Sequence, residues 1–224
     1  MADEDSTGAL PLFAVTAPGV EPLAAAELRG MGITAVAEAG GVAWRGTMHD
    51  VYAANLQLRT VSRVVLRVGE FSARSFIELE RHARKLPWDR LLTPGRAVRW
   101  RVTCRKSRLY HEGAVAQRFQ EAVERAIGAV PAAAGEEEEE GAAEQLFVVR
   151  FLRDRCTVSV DASGALLHRR GYRQALAKAP LRETLAELWD YYTGVVFDGV
   201  SSAAWPDPAG IRARRPPPRR AGRL

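Results

Sequence analysis

Cysteine and histidine are scarce in this sequence, and their scarcity excludes several kinds of protein. The 224 residues include two cysteines, Cys104 and Cys156, and four histidines. These residues do not have the close spacing of metal ligands, so we predict no metal site. Two cysteines are too few for a disulfide scaffold and favour a reduced, cytoplasmic protein with buried thiols, although one disulfide between them stays open.

Long apolar runs and common enzyme motifs are also absent. No segment has the roughly 18 consecutive apolar residues of a membrane span. The first residues, MADEDSTGAL, lack the apolar core of a signal peptide. The motifs G-x-S-x-G, H-E-x-x-H and the P-loop are missing. His168 lies beside arginines without a partner carboxylate, which favours a structural role over a catalytic one. We therefore predict no membrane association and no catalytic or cofactor-binding residue.

The sequence does contain strongly segregated charge. Its net charge is +5, and residues 206–224 account for all of it with six arginines against Asp207. Residues 1–205 therefore sum to zero, but residues 99–111 and 150–182 are basic while acids collect elsewhere, notably in Glu136–Glu140. Segregation of this kind can place a basic face, suited to a nucleic acid, on a neutral folded protein.

Apolar periodicity divides the folded part into two units, each with a sheet and covering helices. Residues 11–71 show the order βαββαβ, which is typical of a ferredoxin-like domain. In its second helical segment, MHDVYAANLQLRTV, we expect four residues to reach the core: Val51, Ala54, Leu56 and Leu58. The second unit has a strand, AVRWRVTCRK, with Arg99, Arg101 and Thr103 facing outward. Two strands that turn near Arg153–Asp154 come last. Before them, HEGAVAQRFQEAVERAIGAV predicts an amphipathic helix whose apolar side consists of Val115, Phe119, Val123 and Ile127.

The segment CRKSRLYHEGAV joins that strand to the helix and is the first candidate for RNA contact. Cations at the end of the strand, together with helix N-terminal amides, suit phosphate oxygens, and an aromatic ring can stack on a base. The alternative is a solvated loop with a locally packed tyrosine. The candidate RNA-binding residues are Arg105, Lys106, Ser107, Arg108, Tyr110 and His111.

The segment LLHRRGYR is the second candidate. Arginine can pair with a phosphate through two hydrogen bonds, and a glycine between arginines allows close backbone approach. A basic connector between domains explains the same residues equally well. The candidate RNA-binding residues here are Arg169, Arg170, Tyr172 and Arg173.

Several stretches in a fixed order resemble the N-terminal half of a known enzyme family. They are FAVTAPGVEPLAAAEL, GGVAWRG, ANLQLRTVSRVVLRVGEF, VTCRKSRLYHEGAV, VSVDASGALLHRRGYR and APLRETLA. Together they are similar to the THUMP-domain class I S-adenosylmethionine-dependent methyltransferases that modify guanine N2 in ribosomal RNA. The resemblance implies an α+β chain that captures structured RNA, with both candidate segments in its RNA-facing half. Large-subunit (23S) ribosomal RNA is the expected target, and other RNA targets within the family stay open. It also implies S-adenosylmethionine as the cofactor of the full-length family.

The resemblance and the periodicity together give the expected domain division. The N-terminus, residues 1–10, and an Arg/Pro-rich tail, residues 196–224, are expected to be disordered. The remaining units are a ferredoxin-like domain at 11–71, a THUMP RNA-binding domain at 72–165, and a connector at 166–195 with the first helix of a methyltransferase domain.

Beyond residue 190 the family's motifs are missing. There is no G-x-G for the cofactor and no Asn/Asp-Pro-Pro-aromatic motif for the target amine. We therefore expect no methyl transfer from this chain and interpret it as a truncated or frameshifted product. Two alternatives stay open. One is a stand-alone THUMP adaptor for a separate RNA-modifying enzyme. The other is a non-functional fragment in which helix 181–192 is left uncovered.

Overall fold

A computed structural model describes residues 9–92, 95–131 and 144–167. Several predicted features lie outside these residues: most of the N-terminus, the Glu136–Glu140 run, His168, the helix after residue 180 and the basic tail. The second candidate segment lies outside them too, from Arg169 onward. The elements are β1 (Leu10–Thr16), α1 (Glu21–Gly30), β2 (Ala35–Glu38), β3 (Gly41–Gly46), α2 (Met48–Gln57), β4 (Val61–Ser72), α3 (Phe76–Ala83), α4 (Trp88–Leu91), β5 (Ala97–Arg105), α5 (Glu112–Ile127), β6 (Glu144–Leu152) and β7 (Arg155–Asp161).

The strands form one seven-stranded sheet in the order β2-β3-β1-β4-β7-β6-β5. Strands β5 and β6 are parallel and the other neighbours are antiparallel. Strand β4 belongs to both halves, because its first part pairs with β1 and its second part pairs with β7. The first half has the predicted βαββαβ order, which confirms an α+β fold with an N-terminal ferredoxin-like unit.

One face of the sheet carries the apolar core throughout. Directly paired residues point to the same face, so a continuous row can be followed from strand to strand. The row is Trp44, Leu12, Leu66, Val160, Phe147 and Trp100. Leu66 packs against both core clusters, one under α1 and α2 and one under α3, α4 and α5. The helices of the two halves therefore cover the same face.

The first core contains the predicted residues of α2 with one correction. Val51, Ala54 and Leu58 are buried, but Leu56 is 73% exposed. Helix α2 ends at Gln57, and the extended backbone at Leu58 turns that side chain inward. Leu56 instead shares the outer helical face with Tyr52, four residues earlier. Its prediction as a core residue was wrong because Leu56, still within the helix, lies on the face opposite to that of Val51 and Ala54.

The second core is built around Trp88. Its side chain is 1% exposed, and its indole Nε1–H donates to the carbonyl oxygen of Ala83 at 2.8 Å. Edge-on contacts join it to Trp100, Phe119 and Phe147, with ring centroids 6.0, 6.4 and 5.5 Å away. These side chains come from α4, β5, α5 and β6, so one residue ties four elements of this half together.

Arg99 on β5 departs from the expected outward, solvated position. Its side chain is only 10% exposed, and its Nε lies 2.8 Å from the Glu144 carboxylate on the neighbouring parallel strand. An arginine on the helix-free face can be buried when a carboxylate neutralises it and accepts its hydrogen bond.

The two cysteines are free thiols. Cys104 and Cys156 both pair in register with Phe151, from opposite sides. Their backbones therefore lie two strand spacings apart, a total of about 10 Å. That distance is beyond the reach of a disulfide. Cys156 is buried, but Cys104, near the end of an edge strand, is only half-buried. Burial, and then the charge of Glu112, raise the pKa of Cys104, which disfavours the nucleophilic thiolate.

No helix in the part of the chain that the structure describes is long and apolar enough to cross a membrane.

Candidate nucleic-acid interface

The loop between β5 and α5 presents three cationic side chains to solvent. Arg105 is the last residue of β5, Lys106 follows with a left-handed φ of 50°, and Arg108 lies two residues further on. All three side chains are exposed. None makes an ion pair with any residue of the described ranges 9–92, 95–131 and 144–167. Their charges are therefore available to an external anion.

The loop is fixed to the turn between β6 and β7. The Arg108 N–H donates to Asp154 Oδ1 at 2.7 Å, and the Asp154 N–H donates to Ser107 Oγ at 3.0 Å. The Ser107 hydroxyl also donates to the Arg105 carbonyl oxygen at 3.0 Å. Ser107, a predicted RNA contact, is half-buried and its hydroxyl is already engaged in these bonds. Its hydroxyl therefore links the backbone of the loop to the backbone of the turn.

The turn itself adds a cation that sequence reasoning left out of the site. Arg153 and Asp154 have left-handed φ values of 52° and 64°, and the Arg153 side chain is exposed. The Arg153 N–H donates to the carbonyl oxygen of Arg105 at 3.2 Å, and this hydrogen bond holds the two residues next to each other. The predicted turn at these positions was the only sequence signal for this residue, and it did not indicate proximity to the loop.

The second half of the loop is aromatic. Tyr110 is 75% exposed and its ring centroid lies 5.9 Å from that of His111, which is also exposed. Between them and the cations, Leu109 is buried and anchors the loop. A surface pocket is lined by Phe76, Arg108, Leu109, Tyr110, His111 and Ala114. Cations beside exposed rings can bind the phosphate and the base of one nucleotide together.

The first turn of α5 carries an acidic residue, Glu112. The helix begins at Glu112, and no side chain caps it at His111. The Glu112 carboxylate accepts a hydrogen bond from the Cys104 N–H at 3.1 Å and lies within the first helical turn. An acid at this position already complements the positive end of the helix dipole. The arginines and the lysine of the loop are the groups left for phosphate.

Known proteins resemble this chain along most of its length. Residues 11–65 match the family model of the RlmL ferredoxin-like domain. The ribosomal RNA large subunit methyltransferase K/L of Syntrophotalea carbinolica is 33% identical over 202 residues, which cover 88% of this chain and 28% of that protein.

Two solved structures share the fold and part of the sequence. A predicted N6-adenine-specific DNA methylase from Listeria monocytogenes has a TM-score of 0.72 and 29% identity, covering 84% of this chain and 49% of that one. SMU.472, named as a methyltransferase and complexed with SAH, has a TM-score of 0.70 and 27% identity, covering 86% of this chain and 51% of that one. The chain thus spans about half or less of the proteins it matches.

Proposed function

We propose that this chain is the RNA-capturing portion of a THUMP-domain class I ribosomal RNA methyltransferase, because it is similar to the N-terminal part of such proteins. In this proposal the described residues bind structured RNA, and the whole enzyme methylates guanine N2 in large-subunit (23S) ribosomal RNA. The named activity of the Syntrophotalea carbinolica relative supports this substrate class. A ribosomal substrate also agrees with the predicted cytoplasmic location.

The observation that carries the proposal is a fixed loop that combines exposed rings with cations that form no ion pair among the described residues. Arg105, Lys106 and Arg108 contact phosphates, while Tyr110 and His111 stack on an unpaired base. Arg153 extends the cationic surface across the adjoining turn. The predicted contacts through residues 169–173 stay predictions.

The cofactor of the proposed enzyme is S-adenosylmethionine, but the pocket beside the loop does not fit it. The residues that line this pocket include no carboxylate to accept hydrogen bonds from ribose hydroxyls. Arg108 in its wall would also repel the positively charged sulfonium. We therefore assign RNA capture, and no step of methyl transfer, to this surface.

The stacking role of Tyr110 can be tested with a matched pair of tyrosines. Tyr110→Ala is expected to weaken binding of a ribosomal RNA fragment about tenfold, because base–aromatic stacking is worth about 1–3 kcal/mol per base. Tyr52 is the control, since it is 63% exposed but lies on α2 of the ferredoxin-like unit. Fluorescence anisotropy of labelled RNA measures both affinities. Equal effects of Tyr110→Ala and Tyr52→Ala would count against the proposed site.

A further inference from the structure

A carboxylate lies in the middle of the basic surface. Asp154 follows Arg153 and precedes Arg155, and its Oδ2 is 3.5 Å from Nε of Arg74. Its Oδ1 accepts the backbone N–H of Arg108 at 2.7 Å. On charge alone this residue would repel RNA phosphates and weaken the surface that surrounds it.

The bonds of Asp154 join its own turn to two other segments of the chain. Its side chain holds the backbone of Arg108, and its own N–H donates to Ser107 Oγ at 3.0 Å. Its carbonyl oxygen accepts the N–H of Ala73 at 2.9 Å, directly before Arg74. The loop, the turn and the end of β4 therefore meet at one residue, and each brings an exposed arginine with it.

We propose that Asp154 is a positioning residue that holds the 105–111 loop in its RNA-binding shape. The inference rests on the proposed function for its consequence, since it concerns the same surface. Asp154 does not itself contact RNA. Its contribution is the fixed backbone of residues 107 and 108, from which Arg108 and the rings of Tyr110 and His111 project toward one nucleotide.

The left-handed backbone at Asp154 permits a sharp pair of substitutions. With φ at 64°, both asparagine and glycine fit this position with little strain. Asp154→Asn keeps an oxygen that can accept the Arg108 N–H and removes one negative charge. Asp154→Gly removes the same charge but loses the acceptor. The two variants thus have equal net charge and differ in the bond that holds the loop.

Binding of a ribosomal RNA fragment by the full chain separates the two roles of this carboxylate. We expect Asp154→Asn to bind at least as tightly as the wild type, and Asp154→Gly to bind about fivefold more weakly, because a loose loop loses phosphate contacts. If Asp154 acted only through its charge, both variants would bind more tightly than the wild type. That result would overturn the proposal.

A second readout needs no RNA and keeps the two proposals distinguishable. Exchange of the Arg108 amide hydrogen should be faster in Asp154→Gly than in the wild type and nearly unchanged in Asp154→Asn. Unchanged exchange in the glycine variant would overturn the positioning role. Wild-type protein that binds no RNA, together with the expected exchange pattern, would instead refute the proposed function alone. Thermal unfolding of each variant separates local loosening from global loss of stability.

Discussion

Replacing Arg105, Lys106 and Arg108 together by alanine is expected to lower the RNA affinity of the full chain about tenfold at ~0.15 M salt. These three cations are exposed and form no ion pair with the described residues. Their removal therefore leaves no described carboxylate without its counter-charge, and we expect it to cost little folding stability. Each phosphate contact releases counterions, so the slope of log affinity against log salt should become shallower by about 2. A titration at several salt concentrations measures both quantities.

The basic tail supplies a charge-matched control for this variant. Arg219→Ala, Arg220→Ala and Arg223→Ala together remove the same net charge from a region rich in arginine and proline. The tail variant should weaken RNA and duplex DNA binding to the same extent, because arginines outside a shaped site bind any polyanion. The loop variant should weaken RNA binding more than DNA binding. Identical behaviour of the two variants would show that the loop contributes net charge only.

Trp88→Ala is expected to cost about 3–5 kcal/mol in the free energy of unfolding. The substitution removes three edge-on aromatic contacts and the hydrogen bond to the Ala83 carbonyl oxygen, and it leaves a cavity where α4, β5, α5 and β6 meet. A loss of this size is a large share of the roughly 5–15 kcal/mol that stabilises a typical domain. Urea unfolding followed by circular dichroism gives the value.

Trp88→Phe separates the ring from the hydrogen bond. Phenylalanine keeps most of the aromatic contact and loses the indole N–H, so about half of the Trp88→Ala loss or less is expected. If Trp88→Ala instead cost less than about 1 kcal/mol, the second core would not depend on this side chain, and the packing described around it would be incorrect.

Local patterns predicted most of the fold. The turn at Arg153–Asp154 lies between β6 and β7 as expected. On the predicted apolar side of α5, three residues are buried and one, Ile127, is partly buried; the buried ones are Val115, Phe119 and Val123. These features depend on residues near one another in the chain, where helical and strand periodicities are strong. The resemblance to the methyltransferase family depended on longer runs of sequence and correctly indicated the ferredoxin-like unit.

Features that depend on distant residues could not be predicted in the same way. Arg108 and Asp154 are 46 residues apart, and nothing local to either indicates the bond that joins them. The pairing of Arg99 with Glu144 likewise requires the register of two parallel strands, which no sequence pattern in either strand specifies. For this reason the sequence pointed to the cations of the loop but not to Asp154, whose carboxylate accepts the Arg108 N–H, nor to the bond between Ser107 and the turn.

The most direct test of the account compares RNA and duplex DNA binding by the chain with and without residues 206–224, over a salt series. Removing the tail takes away six arginines and one aspartate, the whole net charge of the protein. We predict that the shortened chain still prefers a ribosomal RNA fragment to duplex DNA, because the loop between β5 and α5 remains. Loss of binding, or equal weak binding to both nucleic acids, would mean that the arginines of the tail alone account for nucleic-acid binding. That result would contradict the proposed RNA-capturing role.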